Sequence, residues 1–220
     1  MKKLNPIVTI LIAILITYFL LMTSIRILFT PVFLQIEYRM PGFPPDKYGF
    51  TLEERLHWGT ESMHYLFDRS ENSTLSDLKF DNGQSIYNER EISHMEDVKA
   101  LLLQTISLWW IVTGCLILLG FIAWRFRWFE NFWTAVSYGG WLTVGMIGLI
   151  LIGVVVNFND LFTSFHHLFF SGNSWLFYLD DTLIRLFPMR LWQDAFISMG
   201  VLTLAGAALC IYFGNKQSKK

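Results

Sequence analysis

Four stretches of this chain are long and apolar enough to cross a bilayer, near Ile7–Leu28, Ala100–Trp124, Thr134–Phe158 and Ala195–Phe213, and the last three carry no charged side chain. A hydrocarbon core of about 30 Å needs about 20 apolar residues in a helix. In lipid every main-chain N–H and C=O must find its partner within the segment, which leaves helices as the means of crossing for runs of this kind. The expected fold is therefore an all-α integral membrane protein, a single membrane domain over residues 1–220 with four transmembrane helices. Composition agrees: 53% of residues are hydrophobic and only 16% are charged, where a soluble domain has about 25% charged.

The first stretch follows Lys2 and Lys3, like the basic front of a signal peptide, but its apolar run is longer than a signal core and no small-residue cleavage pattern follows. It reads as a retained helix, with Arg26 near its far end, where a long side chain can reach the interface. The positive charges set the orientation. Lys2, Lys3, Arg125, Arg127, Lys216, Lys219 and Lys220 fall at the N-terminus, in the short turn 125–131 and in the tail, against the one acid Glu130. The positive-inside rule places these segments in the cytoplasm. The loops 31–99 and 159–194, which are rich in acids, are then outside, the first as an extracellular cap and the second as an aromatic-rich interfacial loop between the third and fourth helices. Cys115 and Cys210 both fall within apolar runs, so the outer loops hold no disulfide. They read as packing residues. Asn72-Ser73-Thr74 has the form of a glycosylation acceptor.

Within the cap, the "GFPP" of "EYRMPGFPPDKYGFT" and its other turn residues predict an irregular passage. Thr51, with Glu54 three residues on, opens a helix as a capping box, and "DNG" at 81–83 predicts a turn. Asn88 and Glu91 repeat the capping pattern ahead of "NEREISHMEDVK" at 88–99, and nothing breaks the helix between that charged run and the apolar run that follows. One continuous helix then lifts His94 roughly 9 Å above the first apolar residue.

His94 has Arg90, Glu91, Asp97 and Val98 as its neighbours three and four residues away. Two carboxylates on its face would raise its pKa. The plainer reading is an exposed histidine on a solvated helix. If residues 160–170 are helical, His166 has Phe162, Phe169 and Phe170 as neighbours, where burial would lower its pKa, and the plainer reading there is an interface anchor. His167 points elsewhere. Glu91-x-x-His94 and Glu61-x-x-His64 have the spacing of helical carboxylate metal sites, but there is no His-Glu-x-x-His and no ligand-spaced cysteine pair. The serines at 85, 93 and 171 lie in no nucleophile motif.

Four segments, "YGFTLEER", "YNEREISHMEDVK", "FHHLFFSGNSWLF" and "DTLIRLFPMRLW", in that order among four spans, resemble the bacterial lipoprotein intramolecular transacylases over nearly the whole chain. The resemblance implies a four-helix enzyme of the bacterial plasma membrane with an extracellular cap. It implies two catalytic histidines, matched here by His94 and His166, with Phe165, Phe169 and Phe170 setting the register of the second. Arg90, Glu91, Asp97, Phe165, Phe169, Phe170 and Trp175 would support the site or position substrate. The implied substrate is a diacylglyceryl-modified lipoprotein held among membrane lipids, and no cofactor, metal or nucleic acid is called for.

The implied reaction moves the sn-2 acyl chain to the α-amino group of the N-terminal cysteine and yields a lyso-form lipoprotein. An ester becomes an amide, through a tetrahedral intermediate closed in an eight-membered ring, so orientation is the main difficulty. The amine, with a pKa of about 7.7 to 8.0, is within reach of an imidazole base. The local settings favour His166 as base and His94 as acid, while the reverse stays open, and either Arg90 or Trp175 suits the oxyanion donor the reaction needs. A scaffold or accessory subunit would have the same topology. A transporter fits less well, because the spans hold no acid or lysine to mark an ion path.

Overall fold

The computed structural model describes residues 5–70 and 74–218. Lys2, Lys3, Lys219, Lys220, and Asn72 and Ser73 of the acceptor sequence lie outside the described residues. Among the described residues the helices are, in order, α1 Pro6–Leu28, α2 Pro31–Glu37, α3 Leu52–Phe67, α4 Glu89–Arg125, α5 Phe129–Phe169, α6 Thr182–Leu186 and α7 Met189–Gln217. Helices α1, α4, α5 and α7 are the four that are long and apolar enough to cross a membrane. The protein is an all-α, multi-pass membrane protein. Among the described residues the only β pairing is one isolated bridge, Lys79 with Ser85, around the "DNG" turn, where Gly83 takes a positive φ of 83°.

Three of the long helices outrun the apolar stretches expected from the sequence. Helix α4 is continuous from Glu89 to Arg125, and α7 begins at Met189. Helix α5 continues to Phe169 but is broken at Asn157, whose φ of −159° and ψ of 91° are extended rather than helical. The Asn157 Oδ1 accepts the N–H of Asp160, and its amide donates to the Asp160 carboxylate. Asn157 thus caps a new helical segment, as asparagine does where it satisfies an orphaned first-turn N–H. Residues 159–169, expected as loop, are helical for this reason.

The chain divides into two compact units. One consists of Met1–Ile27, Thr105–Val156 and Phe196–Lys220. Its core is Ile12, Ile16 and Leu20 of α1, Ala123 of α4, Phe132, Ala135 and Val136 of α5, and Ala207 of α7. Glycine sets the helix spacing: a Cβ on Gly139 would stand 2.7 Å from Ile16 Cβ, and one on Gly140 would stand 2.8 Å from the Ala207 carbonyl oxygen. Small residues allow this approach where lipid removes any hydrophobic drive between helices. Thr143 adds a cross-helix bond by donating to the Thr17 hydroxyl at 3.1 Å.

The other unit consists of Leu28–Gln104 and Asn157–Ala195. Its core gathers Leu34, Tyr38, Met63 and Leu191. The charges of Asp46, Arg55 and Arg185 are paired or stacked, as burial favours. Asp46 accepts from Arg185 at 2.9 Å, and the Arg185 guanidinium lies 3.6 Å from the centre of the Phe50 ring. Arg55, also buried, donates to the Pro44 carbonyl and stacks over Tyr38 and Phe43. The Thr51–Glu54 capping box forms as the sequence predicts.

Candidate active site

Both histidines singled out from the sequence belong to the second unit, His94 near the start of α4 and His166 in the segment of α5 beyond Asn157. The fold brings their rings to 6.0 Å between centroids, with planes 28° apart, and both are buried, at 7% and 8% exposure. His94 precedes the apolar run of α4 by six residues, and His166 follows the Asn157 break.

Each ring is walled by other rings. Phe170 touches both, 5.0 Å from His94 and 5.7 Å from His166. Phe177 closes on His94 at 5.3 Å, while Phe162 and Trp175 flank His166 at 4.2 Å and 4.8 Å. Phe165 meets His166 edge-on at 5.7 Å and packs on Phe169, and both of these phenylalanines keep an exposed face. His167 turns its ring edge to Trp175.

The His166 Nδ1 lies 2.8 Å from the Phe162 carbonyl oxygen. A carbonyl only accepts, so Nδ1 carries the hydrogen and Nε2 keeps a free lone pair. Burial pushes the His166 pKa down, and the bond to Phe162 partly opposes that by favouring the charged ring. What remains is a neutral imidazole in a fixed tautomer with a basic nitrogen.

The surroundings of His94 correct the expectation drawn from helical spacing. Burial pushes its pKa down to about 4, with His166 adding to the effect, and no carboxylate offsets it. The reason is visible in where the acids go. Glu91 is 1% exposed and spends both oxygens on main-chain N–H groups, one of Asn88 at 2.8 Å and one of Leu183 at 2.7 Å. It fastens the start of α4 to the first turn of α6 rather than pairing with the imidazole. Asp97 is exposed. His94 Nδ1 is buried without a hydrogen-bond partner.

Arg90 serves the frame as well. Its Nη2 donates to Asp181 at 2.7 Å, and the guanidinium lies over Tyr178 at 4.8 Å and Phe177 at 5.7 Å. Asp181 also accepts from the Asn88 side chain and from the Tyr178 N–H, tying the loop before α6 to the head of α4. Asp181 and Phe177 are site residues that the sequence reading did not single out. The acidic pair 180–181 directly before a short helix was the available signal for Asp181. Among the described residues no three His, Cys, Asp or Glu side chains converge on a point that would hold a metal ion. Glu61 and His64 form an exposed pair at 3.8 Å.

A family profile described as lipoprotein intramolecular transacylase Lit matches residues 9–192. The chain belongs to this family. A relative from Aquifex aeolicus (strain VF5), described as an uncharacterized protein, is 28% identical over 97% of this chain and 94% of its own length. Among solved structures, the membrane integral lipoprotein intramolecular transacylase Lit from Bacillus cereus, determined in meso, is 18% identical and has a TM-score of 0.82, covering 97% of this chain and 95% of its own. A variant of the Bacillus protein with one histidine replaced by alanine gives a TM-score of 0.76 at 18% identity, over 97% of this chain and 93% of its own. These structural likenesses establish the fold of this family member, and the profile match establishes the transacylase family.

Proposed function

We propose that this family member moves the sn-2 acyl chain of a diacylglyceryl-modified lipoprotein to the α-amino group of its N-terminal cysteine, giving a lyso-form lipoprotein, and that His94 and His166 carry the reaction. The observation that supports the reading best is the pair of buried, ring-walled imidazoles 6.0 Å apart, one with its tautomer fixed. His166 Nε2 takes the proton of the attacking amine. The glycerol oxygen needs one proton as it departs, and His94, neutral at rest, gives it the hydrogen of one ring nitrogen while its other nitrogen takes up the proton that His166 removed from the amine. The C–N bond forms, the C–O bond breaks, and the proton count closes without a cofactor.

The wall of Phe162, Phe170, Trp175 and Phe177 excludes water, which would otherwise hydrolyse the ester, and restricts the folded-back substrate to the geometry the ring closure needs. Phe165 and Phe169, with their exposed faces, would receive the acyl chain. Arg90 and Glu91 hold the loop against α4 and so position His94. On this reading the N-terminus, the 125–131 turn and the tail face the cytoplasm of a bacterial cell, while loops 31–99 and 159–194 face outward.

Mass spectrometry of the N-terminal lipopeptide of a diacyl lipoprotein, co-expressed with the wild type, His94→Ala or His166→Ala, tests the proposal. The wild type should relocate one acyl chain from glycerol to the amine at unchanged mass, and each variant should lose at least roughly 10²-fold in rate, the lower bound for a general acid or base. An unchanged lipopeptide with every variant would favour a scaffold role for the same fold.

A further inference from the structure

Among the described residues, four side-chain donors of the second unit are buried without a hydrogen-bond partner: Arg55 Nε, Arg90 Nε, Ser174 Oγ and Trp175 Nε1. Buried polar groups are rarely left so, and an orphaned donor in an enzyme calls for an explanation by function. The four are not equivalent, and the Arg55 guanidinium already donates to the Pro44 carbonyl and stacks over Tyr38 and Phe43. The Arg90 guanidinium already donates to Asp181 and stacks over Tyr178. The Trp175 ring lies against His166, with centroids 4.8 Å apart and planes 30° apart, and the residue is only 8% exposed.

An indole N–H donates and cannot accept, so the group that completes it must be an acceptor. The other unmet atom beside His166 is the Nδ1 of His94. The rings that carry these two atoms both lie near the His166 ring, with centroids 6.0 Å and 4.8 Å from it. We infer that Trp175 is a catalytic residue of the transacylation, its indole N–H donating to the acyl oxygen as the carbonyl becomes a tetrahedral alkoxide.

This inference rests on the transacylase reading and adds to it the group that stabilises the intermediate. When the amine attacks, the carbonyl π pair moves onto oxygen. When the C–O bond to glycerol breaks, the pair returns. Trp175 transfers no proton in either half and only supports the charge between them. A donor held in a water-excluded wall is most effective here, because it needs no reorganisation as the charge develops. The burial that leaves the N–H without a partner at rest is what reserves it for the intermediate.

The test replaces Trp175 by Phe and, separately, by 3-benzothienylalanine, which keeps the bicyclic shape and exchanges N–H for sulfur. Both proteins are assayed in proteoliposomes against a diacyl lipopeptide, beside His94→Ala and His166→Ala. Loss of the donor should lower kcat roughly 10² to 10³-fold, as for other single oxyanion donors, while KM stays within about threefold, as expected for an interaction made only in the transition state. The thermal midpoint of the benzothienyl protein and the pH at which its rate falls should match the wild type. A benzothienyl protein that keeps the wild-type kcat while both histidine variants are inactive would overturn the inference and leave the transacylase reading standing. Full activity in the histidine variants would overturn both. If Trp175→Phe fails to fold, the benzothienyl protein alone decides.

Discussion

The two compact units solve helix packing in opposite ways. In the first, helices meet where side chains are missing: Gly139 lies against Ile16, and Gly140 against the Ala207 carbonyl, at distances that no Cβ would permit. In the second, elements meet through polar groups, Asp46 with Arg185, Glu91 with the N–H groups of Asn88 and Leu183, and Asp181 with Asn88, Arg90 and Tyr178. The solvent explains the difference. Lipid tails offer helices no hydrophobic reason to associate, so close contact between main chains must supply the attraction. A polar segment has enough apolar surface to form a small core, and pairing then fixes its short helices and loops in one arrangement. The site belongs to the second kind, and its two imidazoles are held by loops and caps as well as by helices.

The comparison is broken most severely by Asp46→Ala. The Arg185 side chain is 14% exposed and Asp46 only 2%, so the change strands a buried guanidinium, and a loss of about 3–5 kcal/mol is expected. Thermal or denaturant unfolding of the purified protein in detergent checks it, and a loss below about 1 kcal/mol, as for a surface pair, would put this unit in a different class. Gly140→Val tests the other side. Its Cβ would stand 2.7 Å from Ile211 Cγ1 as well as 2.8 Å from the Ala207 oxygen, and overpacking of this kind costs about 1–3 kcal/mol. The fraction that stays folded should keep its rate in the lipopeptide assay, because Gly140, Ala207 and Ile211 all belong to the first unit.

The smallest effect expected is that of Asp97→Asn. Exposed and outside the polar frame, this residue should change stability by no more than about 0.5 kcal/mol. Its value lies in the pH profile. Were Asp97 stabilising an imidazolium at His94, removing the charge would lower that pKa and move the acid limb of the rate to lower pH. Burial is what depresses His94, so the limb should stay where it is. A downward shift in Asp97→Asn would restore the arrangement that helical spacing suggested.

That spacing misled for a definite reason. Glu91 does share a helical face with His94, but its carboxylate is turned to the main-chain N–H groups of Asn88 and Leu183. Leu183 is distant in sequence, and nothing in residues 88–99 announces it. The Asn88–Glu91 cap itself was legible, because capping is local and depends on residues three apart. The Asn157 break was harder to see. An asparagine inside an apolar run is not by itself a stop, and the Asp160 that completes the cap lies within the segment read as loop.

The sequence by itself determined the membrane class, the four long helices, the continuity of α4 and the residue types of the site, since each depends on hydrophobic length, local capping or a motif within a few residues. Only the tertiary structure decided that the two histidines face one another, that Phe162 fixes the tautomer of His166, that Glu91 serves the main chain, and that Trp175 keeps a free N–H beside them. These depend on which distant groups compete for the same donors and acceptors once water is excluded. The spacing along a helix lists the candidates, and folding chooses among them.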